Sequence, residues 1–288
     1  MNISSAFYGG VDCTDVVKSR VRNGSLILRS DNNIIGDPST GSLKVLIVTI
    51  DGKEYSTLEG HMFIHPTPSN KKLGIFYSNN TRPETFPAIR ASLKSIEKSA
   101  KDKADILTCM WNKDVENPFP EFLAWTKTFS HLNQLLQIMQ LLYVAREINS
   151  YETVSFLEHD VLYGERYFDY PEILPGTVIT NMNYMGINKE GWQGVPIKHE
   201  PFHQMTMRFD EAITHCESIL ANALITNSGM IEPQIPNIIR KQWNCINPSV
   251  HINHGGHFTS HFSIYSTTDI KDVDPYWGLH KDYLHLFY

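Results

Sequence analysis

An apolar run that ends in two carboxylates is the feature that most constrains how this chain can fold. Residues 154–157 read Val-Ser-Phe-Leu, and Glu158, His159 and Asp160 follow at once. Burying carboxylates without a partner is costly, so a divalent cation is the natural companion of such a strand end. Residues at i and i+2 point the same way only in an extended chain. The pattern therefore predicts a metal site made by Glu158 and Asp160 at the carboxyl end of a strand, where ligands bind in open α/β sheets. A salt-bridged strand end or a helix cap is the alternative.

Strand and helix patterns alternate in the middle of the chain. Short apolar strands are predicted at residues 73–77 and 106–110, with a helix of 3.6-residue periodicity at Phe86–Ala100 between them. A second helix, at about His131–Ile148, is apolar nearly all round, which predicts that it is buried. It leads into the strand that ends at Glu158. This order is typical of an α/β fold with a central sheet flanked by helices.

The two ends of the chain have a different character. Residues 1–40 are rich in Ser, Asn, Asp and Gly, which predicts irregular structure, whereas residues 45–50 form a strand pattern followed by the hairpin signal Asp51-Gly52. We therefore expect residues 1–70 to be an extension with a small β element, and residues 71–288 to be the main domain. In the later part, a strand is expected at residues 178–184 and a helix at residues 210–224.

Composition excludes several classes of protein. The net charge of −6 provides no general basic field for non-specific DNA binding, although a local basic groove remains compatible with it. The four cysteines lack CxxC spacing, so neither a disulfide framework nor a structural zinc site is expected. The first residues lack the blocks of a signal peptide, and no apolar run approaches the ~20 residues that span a bilayer. We expect a cytoplasmic protein without integral membrane association.

Three further segments carry residues suited to chemistry. The polar loop after the first strand of the main domain could hold a nucleotide, or be an ordinary strand-to-helix connection. The histidine- and glycine-rich segment 251–259 could form a three-histidine zinc site, supply one histidine to a carboxylate metal site, or be a polar loop. The segment 198–204 could recognise an acceptor or supply a base, or could simply lead into a helix. Asn181 and Asn183 could line a sugar pocket.

Taken together, these residues resemble the nucleotide-sugar-dependent glycosyltransferases of the A-type fold (GT-A). In that family a carboxylate motif, often called DxD, ends a central strand and holds Mn²⁺ or Mg²⁺ against the diphosphate of the donor. Glu158-His159-Asp160 stands in that place here, with Glu replacing the first Asp. The sequence is most similar to a bacterial and phage group with an EHDVLY signature, and the similarity covers roughly residues 73–280.

The resemblance implies a GT-A-like (Rossmann-like) mixed sheet, with a donor half at about residues 71–163 and an acceptor half at about residues 164–288. It implies that Glu158 and Asp160 bind metal, Asp160 most directly. His254 would be the C-terminal ligand of the metal or diphosphate, and His257 ranks second because relatives are expected to have Asn there. The residues expected at the nucleotide and sugar are Tyr77, Asn79, Asn80, Thr81, Glu158, His159, Asn181 and Asn183.

The activity implied is transfer of a sugar from a nucleotide sugar, most simply a UDP-sugar, to a hydroxyl group. The acceptor could be a glycan, a small molecule or a hydroxymethylated base in phage DNA. A base is also needed if the reaction inverts configuration. The candidates are His199, Glu200, His203 and Asp210. A sugar-nucleotide pyrophosphorylase, a histidine-rich zinc hydrolase and a non-catalytic nucleotide-sugar binding module are the competing interpretations.

Overall fold

A computed structural model describes most of the chain and divides it into two compact units. The described residues are 1–80, 82–111, 114–122, 131–194, 204–226, 239–252 and 270–287. The first unit comprises Met1–Ser69 together with the short segments Asn117–Pro120 and Ala145–Asn149, and the second comprises Asn70–Glu116, Glu121–Val144 and Ser150–Tyr288.

The first unit is a small β structure. Its elements are β1 (Ile3–Tyr8), β2 (Val11–Asp12), α1 (Thr14–Lys18), β3 (Leu26–Arg29), β4 (Val45–Ile50), β5 (Lys53–Leu58) and β6 (Met62–His65). Four strands form a sheet in the order β2-β1-β4-β5, and β3 pairs with β6. The predicted β addition and the hairpin turn at Asp51-Gly52 are confirmed, since both turn residues have positive φ.

The prediction that residues 1–40 are irregular is wrong within residues 3–29, where β1, β2, α1 and β3 form. Strand β1 pairs antiparallel with β4 and buries Ile3, Ala6 and Tyr8, while Ser4, Ser5 and Phe7 are more exposed. Alternation over so short a strand is hidden by the polar residues around it, and the long-range pairing with β4 is what stabilises the strand.

The second unit contains the remaining elements. They are β7 (Lys72–Ser78), α2 (Phe86–Ala100), β8 (Asp105–Met110), β9 (Glu121–Phe122), α3 (His131–Ile148), β10 (Thr153–Glu158), β11 (Val161–Leu162), β12 (Thr177–Asn181), β13 (Tyr184–Ile187), β14 (Trp192–Gly194), β15 (Met205–Arg208), α4 (Phe209–Thr226), β16 (Ile239–Trp243), β17 (Ser249–Ile252), β18 (Ile270–Lys271), β19 (Val273–Asp274) and β20 (Gly278–Leu279), with short 3-10 helices at Pro83–Thr85 and His280–Phe287. The predicted helices α2 and α4 are confirmed within two residues at each end.

The central sheet has seven strands in the order β16-β12-β15-β10-β7-β8-β9. Strands β10, β7, β8 and β9 are parallel, and β15 runs antiparallel to both of its neighbours. Helices α2, α3 and α4 connect these strands. The predicted α/β fold with a mixed central sheet flanked by helices is therefore confirmed.

The order of the strands places a switch point between β7 and β10. From β7 the chain proceeds to its neighbour β8, whereas the strands that follow β10 in the sequence are added on the opposite side, next to β10. Loops that leave adjacent strands in opposite directions open a crevice at the carboxyl edge of the sheet, where doubly wound folds bind their ligands. The loops that border this crevice begin at Asn79 and at His159.

A second sheet lies in the same unit, in the order β11-β17-β13-β14-β18. The sequence predicted one strand at residues 178–184, but β12 and β13 belong to different sheets. Between them, the Asn181 side-chain oxygen accepts a hydrogen bond from the Asn183 backbone N–H at 3.1 Å, which turns the chain. Among the described helices, none is long and apolar enough to cross a membrane.

His215 on α4 gives the folded protein a dependence on pH. Burial, and then the positive charge of Arg240, lower its pKa to about 4. An unfolded histidine titrates near 6.5, so the unfolded state binds the extra proton first. We expect the free energy of unfolding to fall as the pH drops from about 6.5 to about 4. The His215→Leu variant should flatten that part of the profile, measured by urea denaturation at several pH values; equal slopes would contradict this.

Candidate functional site

Two strand ends meet at the switch point. Glu158 and Tyr77 are opposite each other in the parallel pair β10–β7, and the Tyr77 hydroxyl donates a hydrogen bond to Glu158 Oε1 at 2.9 Å. One step further on, Asn80 Nδ2 lies 3.4 Å from Nε2 of His159. The loops that contain these residues are nearly buried, with Asn79 and Asn80 each 3% exposed. The structure thus brings together the predicted residues of the two loops, apart from Thr81, which lies outside the described residues.

Asp160 is paired with a histidine from a distant part of the chain. Strand β17 pairs with β11, so that the Ile252 N–H donates to the Asp160 carbonyl at 2.7 Å. His251 Nε2 consequently lies 3.4 Å from Asp160 Oδ2, and both side chains are nearly buried. Burial lowers the pKa of His251, but the carboxylates of Asp160 and Glu158 outweigh it and leave the pKa raised.

His251 is the functional candidate that the ranking of the sequence missed. The sequence directs attention to the histidine-rich segment 251–259 but favours His254 and His257 within it, and both lie outside the described residues. The sequence did contain a signal: residues 249–252 have alternating apolar side chains, which indicates a strand that would hold His251 in a fixed orientation.

The donor atoms of Asp160 and His251 fit a divalent ion of the Mn²⁺ or Mg²⁺ type. One carboxylate and one imidazole suit Mn²⁺, and such ions commonly keep positions for water and substrate phosphates. Adjacent ligands of an octahedral ion lie roughly 3 Å apart, close to the observed separation of the two atoms. Within the described ranges, no group of three His, Cys, Asp or Glu side chains could hold a metal alone. A site here would therefore need ligands from the substrate, from water or from other residues.

A cluster of polar side chains lies where β7 ends. The Ser78 carbonyl accepts hydrogen bonds from the Trp111 backbone N–H at 3.2 Å and from Gln137 Nε2 at 3.4 Å. Because a carbonyl only accepts, Gln137 Oε1 points away from it. Among the described residues, three buried polar atoms here have no hydrogen-bond partner: Asn79 Oδ1, Trp111 Nε1 and Gln137 Oε1. Such atoms are costly to bury unless a ligand or water satisfies them.

The prediction that α3 is apolar nearly all round needs correction. Leu135, Ile138 and Leu142 are buried as predicted, but so are amide side chains at i, i+4 and i+7. These are Asn133, Gln137 and Gln140. Buried amides are costly unless they are hydrogen-bonded, so this side of α3 is more than an apolar cover for the sheet.

Asn181 and Asn183 organise the chain beside the site. Asn181 Nδ2 donates to Gln204 Oε1 at 2.9 Å, and its Oδ1 accepts from the Cys245 N–H at 3.0 Å. Asn183 Nδ2 donates to the Cys245 carbonyl at 2.7 Å. These bonds fix the segment that leads into β17 and His251. Direct contact of the two asparagines with a sugar stays a prediction.

Of the four base candidates, Asp210 is the one that lies within the described residues, and it is not at the site. Strand β15 is antiparallel to β10 and pairs Arg208 with Thr153, so Asp210 follows at the amino edge of β10. Five residues of extended strand separate Thr153 from Glu158, roughly 17 Å. Asp210 is therefore not proposed as a base, because the direction of β15 places it at the wrong edge of the sheet. His199, Glu200 and His203 lie outside the described residues.

Comparison with known proteins adds a limited likeness. No family model matches the chain, and no curated protein matches it. A glycosyltransferase involved in glycosylation of the major capsid of PBCV-1 is similar in structure, with 11% identity, 64% of this chain and 94% of that one covered, and a TM-score of 0.36. An active-site mutant of LgtC has 10% identity, coverages of 69% and 98%, and a TM-score of 0.35. LgtC galactosyltransferase with donor and acceptor sugar analogues has 11% identity, coverages of 55% and 66%, and a TM-score of 0.31. These values are too low for the likeness to carry a functional conclusion.

Gly164 allows the approach of the segment that carries His251. A Cβ atom at this position would lie 2.6 Å from the backbone oxygen of Asn247, two residues before β17. Gly164→Ala should therefore lower the free energy of unfolding by roughly 1–3 kcal/mol, because backbone must move to admit the methyl group. The comparison is Gly74→Ala, whose new methyl would meet only side-chain ends of Ile106, Leu157 and Phe168. Urea denaturation that shows a smaller loss for Gly164→Ala than for Gly74→Ala would contradict this account.

Proposed function

We propose that this chain is a divalent-metal-dependent glycosyltransferase of the GT-A type, which moves a sugar from a nucleotide-sugar donor to a hydroxyl group. The observation that carries the proposal is the Asp160–His251 pair at the switch point of the sheet, next to the polar cluster at the end of β7. The Asp160–His251 pair could hold a metal-bound diphosphate, and the polar cluster could hold a nucleoside. Nucleoside and diphosphate are the two parts that all nucleoside-diphosphate sugars share.

The reaction breaks the bond between the anomeric carbon of the sugar and the diphosphate. Negative charge then develops on the leaving phosphate, and a bound divalent ion supplies Lewis-acid stabilisation of that charge. Asp160 and His251 would hold the ion, with Glu158 beside them. Near-burial of both side chains excludes water, which strengthens their electrostatic interactions.

The nucleoside would occupy the polar cluster, where Trp111 Nε1 offers a donor and Asn79 Oδ1 and Gln137 Oε1 offer acceptors. A nucleobase carries both donors and acceptors on its edges and can satisfy all of these atoms. Tyr77 near the end of β7 is proposed to surround the ribose and diphosphate together with Asn80, Thr81 and His159, which follow β7 and β10 in the sequence. We take UDP-sugars as the first donors to test.

The acceptor half of the main domain is proposed to lie in residues 164–288. It would supply the base, with His199, Glu200 and His203 as the candidates. The acceptors to test are glycans, small hydroxylated molecules and DNA containing hydroxymethylated bases. The net charge of −6 favours the first two over DNA.

Metal-dependent binding of the donor is the first test. A nucleotide that binds only the folded protein raises its stability by roughly 2.7 kcal/mol at 100 times its Kd. We expect one family of nucleotide sugars to raise the melting temperature in the presence of Mn²⁺ and not in EDTA. Asp160→Asn and His251→Gln should abolish the effect, whereas Asp210→Asn, at the opposite edge of the sheet, should retain it.

The outcome of the same experiment also separates the competing functions. A well-folded wild type that no nucleotide stabilises would contradict the proposal. Stabilisation that survives in Asp160→Asn would contradict the assigned metal site. Binding without release of nucleoside diphosphate, with any of the three acceptor classes, would identify a binding module in place of a transferase.

The polar cluster should decide which base is bound. Trp111→Phe removes an N–H and keeps an aromatic ring, and Gln137→Met removes the amide and keeps the length of the side chain. Each should weaken binding of the preferred nucleoside diphosphate roughly two- to tenfold, since one hydrogen bond contributes roughly 0.5–1.5 kcal/mol. Gln134→Met, at a partly buried position of α3 outside the row of buried amides, is the matched control. Calorimetric titration with four nucleoside diphosphates measures the effect; unchanged affinity in the first two variants would exclude the cluster as the base site.

A further inference from the structure

Three polar groups of Glu158 are each bonded to a side-chain hydroxyl. Its backbone N–H donates to Tyr163 Oη at 2.9 Å, its carbonyl accepts from Ser92 Oγ at 3.1 Å, and its Oε1 accepts from Tyr77 Oη at 2.9 Å. Burial, followed by the charge of Glu158, raises the pKa of Tyr77, so that its hydroxyl keeps its proton and donates. Glu158 is therefore held at its backbone and at its carboxylate.

Helix α2 anchors the motif at both of its ends. Ser92 and Ser95 lie on the same face of α2, one turn apart. Ser92 bonds to Glu158, and Ser95 Oγ accepts the Tyr163 backbone N–H at 2.9 Å. His159 and Asp160 lie between these two anchored residues. The turn that contains Asp160 is thus fixed from both sides by one helix.

A buried serine in a helix costs free energy, which indicates that these serines serve a purpose beyond helix formation. Ser92 is fully buried, and a serine in a helix is less favourable than an alanine. Burying its hydroxyl costs further free energy unless the hydroxyl is bonded. Ser99, on the same helix, is equally buried, but its Oγ donates a hydrogen bond at 3.3 Å to the Ile96 carbonyl within the helix. Ser92 thus donates to the backbone of Glu158 in the motif, whereas Ser99 donates to its own helix.

We infer that Tyr77, Ser92, Ser95 and Tyr163 form a hydroxyl clamp that positions the turn of residues 158–160 for ligand binding. Ser92, Ser95 and Tyr163 are positioning residues, because none of them is placed against reacting atoms, whereas Tyr77 also borders the proposed diphosphate site. The link to metal rests on the proposed function, but the positioning itself does not. Partners that orient metal ligands typically change metal affinity by 10–100-fold when they are removed.

Hydrogen exchange tests the positioning without any metal. Tyr163→Phe and Ser92→Ala each remove one hydroxyl of the clamp. Tyr167→Phe is the matched control for the first, because its ring packs against Tyr163 at a centroid distance of 4.7 Å and is equally buried. Ser99→Ala is the control for the second. We expect the amides of residues 158–160 to exchange at least tenfold faster in the two clamp variants than in their controls. Equal exchange within each pair would overturn the inference.

Titration with Mn²⁺ tests the effect of the clamp on metal affinity. The concentration of free Mn²⁺ is measured by electron paramagnetic resonance. We expect both clamp variants to bind Mn²⁺ at least tenfold more weakly than their controls, at unchanged melting temperature relative to those controls. Wild type that binds no Mn²⁺ would refute the proposed function, whatever the exchange data show. Wild type that binds Mn²⁺ with the same affinity as both clamp variants would refute the inference and leave the proposed function standing.

Discussion

The parallel pairing of β7 with β10 is the constraint on which the candidate site depends. It places Tyr77 opposite Glu158, and because both strands end there, their loops must leave at the same edge of the sheet. Each loop brings polar groups that would be costly to bury elsewhere. Neither loop contains a complete binding site. The register of one strand pair therefore determines whether the asparagines and the carboxylates can meet the same ligand.

The second sheet brings His251 to the end of the central sheet, where Asp160 lies. Asp160 lies at the junction of the two sheets, since β10 ends just before it and β11 begins just after it. Pairing of β11 with β17 adds His251 to the Asp160 carboxylate, and the close approach at Gly164 permits that pairing. The candidate metal ligands are thus separated by some 90 residues of sequence and are adjacent only once both sheets have formed. Folding of the whole second unit is a precondition for ligand binding.

The sequence predicts the local parts of this arrangement well and the long-range parts poorly. The strand end at Glu158 and helix α2 follow from side-chain periodicity and charge within a single window. The sequence alone does not rank His251 above His254, because the proximity of His251 to Asp160 comes from the pairing of a four-residue strand with a two-residue strand far away. The position of Asp210 is equally hidden, since nothing local reveals that β15 runs antiparallel. Gln137 was overlooked because a single amide hardly changes the average polarity of an apolar helix.

The carboxylates of Glu158 and Asp160 differ in their surroundings, which indicates that they have different roles. Glu158 is held by hydroxyl groups at its backbone and at its carboxylate. Asp160 faces the imidazole of His251, which can share a metal ion with it. A carboxylate that already accepts a hydrogen bond from a tyrosine is suited to orient a ligand. The carboxylate beside the imidazole is suited to ligate the ion directly. The longer side chain of Glu at the first position fits this division, because it allows the carboxylate to reach Tyr77 on the neighbouring strand while the backbone of the motif stays fixed by α2.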